Sequence, residues 1–467
     1  MWTRVSVIVV SFGLLVATLA GMTADGSTPA VAAPAGLACA DSASTPIPQP
    51  TQAQLDAAGL GDLPLAPDSA RRDLVAAPFS DSTSVTNPLF PIAELDSAIL
   101  NGRVDGKVFH TETTLLPFTQ ILEWTPGQCV RVLVSQYMAF LDGRLQETAI
   151  DLYAQSDDGS VWYLGESVFD YSPKGLVTTT EGTWHAGIEG PAAMIMPSDP
   201  QVGDVNRPEN IPGAVFEEVE VTKVDQTVDG PSGPISGVMV GTETHQDGSL
   251  SDKVFAPGYG EFLSTDGPDV EAMALASPTD SLEGGVPPEL SAIAGGADRL
   301  FASKLTTGAQ WRRAGRVAAG MLEAWTSFRT GDVPPRLVKP MNVALRRLET
   351  RIVARDRSGT RAASIDAGYA VNDLQLRYRA VAEVDTMRFE LWARRALVDA
   401  ADGSIGGVRS DVVTLEWIRD RIAHTLDAVT LTRLDTVVGD LGTAVVDRDL
   451  DGAAAAASEL AGIVTEP

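Results

Sequence analysis

The chain has 467 residues, 44% of them hydrophobic, and a formal net charge of −27. That length exceeds what one hydrophobic core ordinarily supports, so more than one domain is expected. An acidic field of this size argues against nucleic-acid or anionic-lipid partners and suits cations, basic partners or plain solubility.

Residues 1–33 read as a secretory signal peptide. Arg4 precedes the apolar run Val5–Ala20, and small residues with Ala-x-Ala-like exits follow. The run is short for a membrane span of about 20 residues, and an uncleaved anchor is the alternative. A lipid-anchor reading of Cys39 is disfavoured, because Leu37 stands one place late and the apolar run ends well upstream. The only other cysteine is Cys129. In an exported chain the two suggest a Cys39–Cys129 disulfide, with a small buried Cys129 as the competing reading. Residues 34–78, rich in Ala, Pro and Ser, read as a disordered tether.

Residues 79–276 carry short β-branched and aromatic runs between Gly, Asp, Asn and Pro. Hairpin signals stand at Asp142-Gly143, Asp158-Gly159 and Asp247-Gly248, with a Pro-Lys-Gly turn at 173–175. The expectation is an antiparallel all-β meander, a sandwich or an open barrel. The acidity is local: residues 81–285 hold 32 acids against 8 bases, whereas 286–467 are balanced at 24 each. Residues 277–299 have linker composition. Beyond them the hydrophobic period turns helical, with Trp311, Ala318, Leu322 and Trp325 on one stripe and Met341, Leu345, Leu348 and Ile352 on another. Residues 300–465 are therefore expected to form an all-α bundle. Its interleaved charges, such as Glu383-Asp385-Arg388 and Asp411-Glu416-Arg419, read as solvated helix faces. The fold class is thus α+β, two domains.

Absent motifs narrow the chemistry. Four scattered histidines (His110, His185, His245, His424) form no His-Glu-x-x-His, and no Walker loop or Gly-x-Ser-x-Gly elbow is present. Arg421 stands three before His424, where a carboxylate-bridged di-metal bundle needs Glu. No catalytic residue and no cofactor is assigned. Calcium is the one ion that the loops Ser156–Ser160 (SDDGS) and Asp204–Asn210 (DVNRPEN) could supply with oxygens.

Six motifs occur in order: NPLFP (87–91), LDGRLQET (141–148), DLYAQSDDGSVWYLGE (151–166), EGTWHAGIEG (181–190), MIMPSDPQVGD (194–204) and APGYGEFL (256–263). Together they resemble a family of uncharacterised secreted or lipid-anchored bacterial proteins. The resemblance covers about residues 79–265 and implies an exported β-rich module with one fold over that span; it brings no activity. The chain departs from the pattern at His185, where the family has an acid, and at Val205–Glu209, where the family has Tyr-Arg-Gln-Glu.

Two registers compete for the third motif. A two-residue Asp158-Gly159 turn sets Asp151 opposite Glu166, a carboxylate pair that would want a cation or a shared proton. A three-residue Asp157-Asp158-Gly159 loop pairs Ala154 with Trp162, Leu152 with Leu164 and Tyr153 with Tyr163, leaving Asp151 across from Gly165. The second gives one clean apolar face and is preferred. Trp162 is then a core residue, and Tyr153, Tyr163 and nearby Asp151 are the candidates for surface contact. The function expected is a non-catalytic, exported cell-envelope binding or interaction protein, with no nucleic-acid partner and no membrane span after signal removal. The alternatives are a carrier of a lipid or small apolar ligand in a β half-barrel, and a carboxylate-based polysaccharide hydrolase.

Overall fold

A computed structural model of the chain describes residues 43–463. The signal peptide and Cys39 lie outside the described residues, and the Cys39–Cys129 pairing lies there with them. The chain first lays down β1 (Thr45–Pro46), α1 (Gln52–Ala57) and β2 (Val75–Ala76). Five strands follow: β3 (Ser97–Val104), β4 (Lys107–Thr125), β5 (Gln128–Leu141), β6 (Arg144–Gln155) and β7 (Val161–Tyr171). Asp142 and Gly143 both take left-handed φ, 49° and 77°, as a two-residue turn between twisted strands requires. Three short strands come next, β8 (Val177–Thr179), β9 (Trp184–His185) and β10 (Ala193–Met196). The sheet is completed by β11 (Val205–Ile211), β12 (Val215–Gly230), β13 (Gly233–His245), β14 (Leu250–Ala256), β15 (Gly260–Asp266) and β16 (Asp269–Ser277).

All 14 strands from β3 to β16 belong to one antiparallel sheet, ordered β10-β7-β6-β5-β4-β3-β16-β15-β14-β13-β12-β11, with β8 and β9 also on β7. The two ends, β10 and β11, adjoin without a backbone ladder among the described residues. The side-chain amide of Asn206 bridges the seam by donating to the Met194 carbonyl (2.8 Å). The sheet is thus an open-seamed barrel that curls around a lumen.

Residues 43–78, expected as a disordered tether, are instead built into this seam. Arg72 N donates to Val205 O and Val205 N to Ala70 O, so the segment runs parallel to β11 and satisfies its free edge. Arg71 and Asp73 form a buried ion pair (2.6 Å), and the Arg207 N–H donates to Asp73. Ile47, Ala76 and Phe79 cover the outer face of the hairpin, where Leu152, Ala154, Trp162 and Leu164 are buried with Trp124. The composition hid this because a few well-placed apolar residues and an edge ladder suffice to order a polar segment.

Helices α2 (Pro288–Phe301), α3 (Gly308–Phe328), α4 (Pro335–Val353) and α5 (Arg357–Gln375) share one core, which includes Ile99, Ala274 and Leu275 of the sheet. Helices α6 (Val381–Ala401), α7 (Ile405–Ile422), α8 (Ala428–Asp447) and α9 (Leu450–Ile463) share a second with Met138, Phe140 and Leu145. The helical half therefore packs on the outer face of the barrel. The prolines expected to mark a linker start α2, with Pro288 at the first helical position, where its missing N–H costs nothing. The stripe Met341-Leu345-Leu348-Ile352 is buried as expected, but on α3 the buried face is Ala314-Met321-Trp325 and Leu322 is exposed.

The charges expected on solvated faces include the most buried ions of the molecule. Arg388, Arg421 and Glu112 have fully buried side chains, and Asp385 is nearly so. Glu112 of β4 receives Arg421 Nη1 at 2.6 Å and the Tyr369 hydroxyl at 2.5 Å, and Arg388 also reaches Asp373 (2.7 Å) and Asp385 (3.0 Å). Burial acts to raise the Glu112 carboxyl, but Arg388, His110 and Arg421 together hold it well below the ordinary range. Arg144 of the Asp142-Gly143 hairpin similarly bridges Asp399 and Asp411. These ion clusters lock the helices to the barrel.

Candidate acidic lumen

The hairpin of β6 and β7 combines both expected registers. At the turn Ser156 N donates to Ser160 O, which closes the three-residue Asp157-Asp158-Gly159 loop, and Ala154 faces Trp162 and Tyr153 faces Tyr163. A bulge then intervenes, so that Asp151 stands opposite Glu166. Gly165 makes it: its φ is 135°, and a Cβ there would lie 2.5 Å from the Trp184 carbonyl oxygen. Trp162 is a fully buried core residue. Tyr153, Tyr163 and Asp151, expected as surface contacts, are not on the outside. Asp151 and Tyr163 are buried and Tyr153 half-buried, because the sheet curls and turns their face into the lumen.

Partners directly across an antiparallel ladder share a face, so the register traces the lumen wall. From Asp151 it runs through Ser135 on β5 and Glu166 on β7; Tyr137, Ala149 and Glu147 lie on the same side. On the far wall Glu209 faces Glu217, Glu217 faces His245, and Glu243 faces Ser251. Lys253, Glu261 and Glu271 complete it. Curling brings the ends of the sheet together, so that Glu209 of β11 and Glu166 of β7 influence each other's ionisation.

Electrostatics divide the lumen in two. On the far side Lys253 Nζ lies 3.1 Å from Glu261 and 3.4 Å from Glu243, and His245 lies 3.1 Å from Glu217. Burial there is offset: it lowers the Lys253 ammonium less than Glu243 and Glu261 raise it. On the near side Glu147, Asp151 and Glu166, and with them Glu209 at the end of the far wall, make no ion pair with any Lys, Arg or His among the described residues. Burial, then the charge of Glu166, pushes Asp151 up to about 8, against the hydrogen bond from the Tyr163 hydroxyl (2.9 Å). Burial and Asp170 push Glu147 to about 8, and burial pushes Glu166 to about 7. Burial, then Glu217 and Glu166, hold Glu209 well above the carboxylate range.

Tyr137, Tyr153, Asp151, Glu261, Glu271 and Lys253 line a cavity of about 300 Å³ within this lumen. Tyr153 stacks on Tyr163 (4.9 Å between rings) and packs edge-on against Phe90 (5.0 Å). Phe90 comes from the NPLFP motif, which covers the cavity. Asn87 holds that cover by donating to Gly159 O and Pro197 O, and Gly258 N donates to Pro88 O. Four of the six ordered motifs therefore converge on the mouth of the lumen.

Among the described residues, two sets of side chains bring metal-ligand atoms within 4.8 Å of one another, Glu217-Glu243-His245 and His110-Glu112-Asp373. Neither fits a metal. Lys253 already holds the cation position at the first, and Arg388 and Arg421 neutralise the second. The loop oxygens expected for calcium have other duties. Asp157 caps Ser80, Asp158 closes its own turn on Ser160, and Asp204 pairs with Arg72. Sequence reasoning raised Glu166 only in the register it set aside, and missed Glu147, Glu209, Glu217, Glu243 and Glu271. The period-2 pair Glu243-x-His245 was the one local signal that acids share a face; the rest converge only through the curl. Compared with known families and curated proteins, the chain matches no family model and no curated sequence.

Proposed function

We propose that the chain is an exported, non-catalytic binding protein of the cell envelope, and that it takes a small organic cation into the acidic lumen. The observation that carries this reading is Asp151, which lines the cavity beside Tyr153 and, like Glu166 opposite it in the ladder, makes no ion pair with a base among the described residues; Tyr163 stacks on Tyr153. Enclosed carboxylates that lack a partner favour whatever cation can reach them, and aromatic faces attract ammonium groups. Lys253 across the lumen is the internal example of what the wall accepts, an alkylammonium between two carboxylates. A cavity of about 300 Å³ has room for a small amine and none for a polysaccharide chain, and a wall of acids does not suit an apolar ligand. Export is supported by the charged start and short apolar run of residues 1–33.

Titration calorimetry with putrescine, with butanediol as the uncharged control, tests the reading. Saturable heat with the diamine alone, abolished in Asp151→Asn/Glu166→Gln, is expected. Equal heat with the diol, or diamine binding untouched by the double variant, overturns it.

A further inference from the structure

A second cavity, of about 880 Å³, lies between the barrel's outer face and helices α4, α5 and α6. Its size is at the upper end of small-molecule sites, which run from about 300 to 1,000 Å³. Its wall is apolar and aromatic: Phe109 and Phe140 from the sheet, with Val343, Tyr369, Leu391 and Trp392 from the helices. Trp392 stacks on Phe140 (5.7 Å between rings, 20° between planes) and Tyr369 meets Trp392 edge-on. The acidic lumen is on the other side of the sheet, and the two cavities share no lining residue.

Two polar atoms of the lining residues are unsatisfied. Trp392 is 4% exposed, and its indole N–H finds no acceptor. The side-chain amide of Asn101 is engaged through its oxygen, to which His110 Nδ1 lies at 2.9 Å, and its buried NH₂ has no acceptor either. Both atoms are closed off behind the wall, so they do not themselves face the cavity. Arg347 and Arg395 share the single carboxylate of Asp366, and Arg103, Arg336 and Lys339, the last two one turn apart on α4, line the cavity and make no ion pair among the described residues; Asp142 and Asp373 are the other acids of the lining. In a chain of net charge −27, an apolar cavity edged by three such cations stands out electrostatically.

We infer that this cleft binds an amphipathic carboxylate, with its hydrocarbon part against Phe109, Phe140, Val343 and Leu391. Its head lies in the field of Arg103, Arg336 and Lys339. An apolar body suits the wall and an anionic head suits the cations; a neutral hydrocarbon would leave the cations unmet. The inference is independent of the cation-binding reading of the lumen.

Decanoate, followed by intrinsic tryptophan fluorescence of the full chain, tests it, with decanol as the uncharged control. The expected result is a saturable one-to-one change that Trp392→Phe removes, with decanol binding far more weakly. Arg336→Glu/Lys339→Glu, both on an exposed helix face, should weaken decanoate on the order of tenfold, the loss expected when charge assistance is removed. Val343→Trp fills the cleft and should abolish binding; if that variant does not fold, the charge-reversed pair decides. Asp151→Asn and added putrescine should leave decanoate binding unchanged. Absence of saturable binding, equal affinity for decanol, or an unchanged affinity in the charge-reversed variant overturns the inference.

Discussion

Glu112 and Arg421 lie 309 residues apart and meet at 2.6 Å with neither side chain exposed. One belongs to the barrel and the other to α7, so the ion pair is a joint between the two halves. Arg388 serves the same carboxylate from α6 at 3.4 Å. Removing one partner leaves charges buried without compensation, which is far costlier than losing an exposed pair. Glu112→Ala should therefore destabilise by about 3–5 kcal/mol. Urea unfolding followed by tryptophan fluorescence and by far-UV circular dichroism checks this. A loss of under about 1 kcal/mol, the value of a surface pair, would contradict it.

Stability should fall as the solution becomes alkaline. Asp151 and Glu147 ionise near 8 in the folded chain, and Glu166, Glu243 and Glu271 near 7, against ordinary values of 3.8 and 4.5. Between those limits the folded protein holds more protons than the unfolded one, so each rise in pH favours unfolding. The contribution is complete below about 4 and is lost as pH passes through 7 to 8. Glu112, held low, works the other way and fails only under strong acid. Thermal melts of the unliganded chain should decline steadily from pH 5 to pH 9, and putrescine should flatten the decline. A melting temperature that rises over that range is the adverse result.

Asp151→Asn separates stability from binding. The amide keeps the Tyr163 hydrogen bond and removes a charge that Glu166 opposes. At pH 8.5 the variant should melt higher than the parent chain while losing putrescine, the trade-off of a site built against its own stability. Equal melting temperatures, or a lower one, would show that the carboxylate is not enclosed as described.

Gly165→Ala probes the bulge. A methyl group would press on the backbone of Trp184 and His185, and the backbone there is one that L-residues avoid. The expected cost is about 1–3 kcal/mol, from strain of that type. Because the bulge sets Asp151 against Glu166, the same variant should weaken putrescine. Hydrogen exchange at residues 149–154 and 163–168 would show whether the ladder slips.

How far the sequence carries depends on how local each feature is. Antiparallel strands, the Asp142-Gly143 turn, the burial of Trp162 and the stripe on α4 rest on neighbours within one element or hairpin, and these were legible. The inward turn of Tyr153 and Tyr163 was not, since it depends on the curl of the whole sheet. Period-2 alternation tells two faces apart but does not say which of them is enclosed. Arg388 misled for a related reason: a charge on a helix looks solvated until its partner, here Glu112 on a strand far upstream, is known. Only the Gly165 bulge was hidden inside a legible motif, for a glycine in a strand announces a bulge without fixing its register.

The strap beside β11 bears on the order of events during synthesis. Arg72 and Asp204 are separated by 132 positions, and Ala70 and Arg72 reach their backbone partners only on Val205. The earliest part of the described chain to leave the ribosome is thus among the last parts of the barrel to find its place. Until the strand at 205–211 exists, residues 70–72 lack the backbone partners that hold them in the seam.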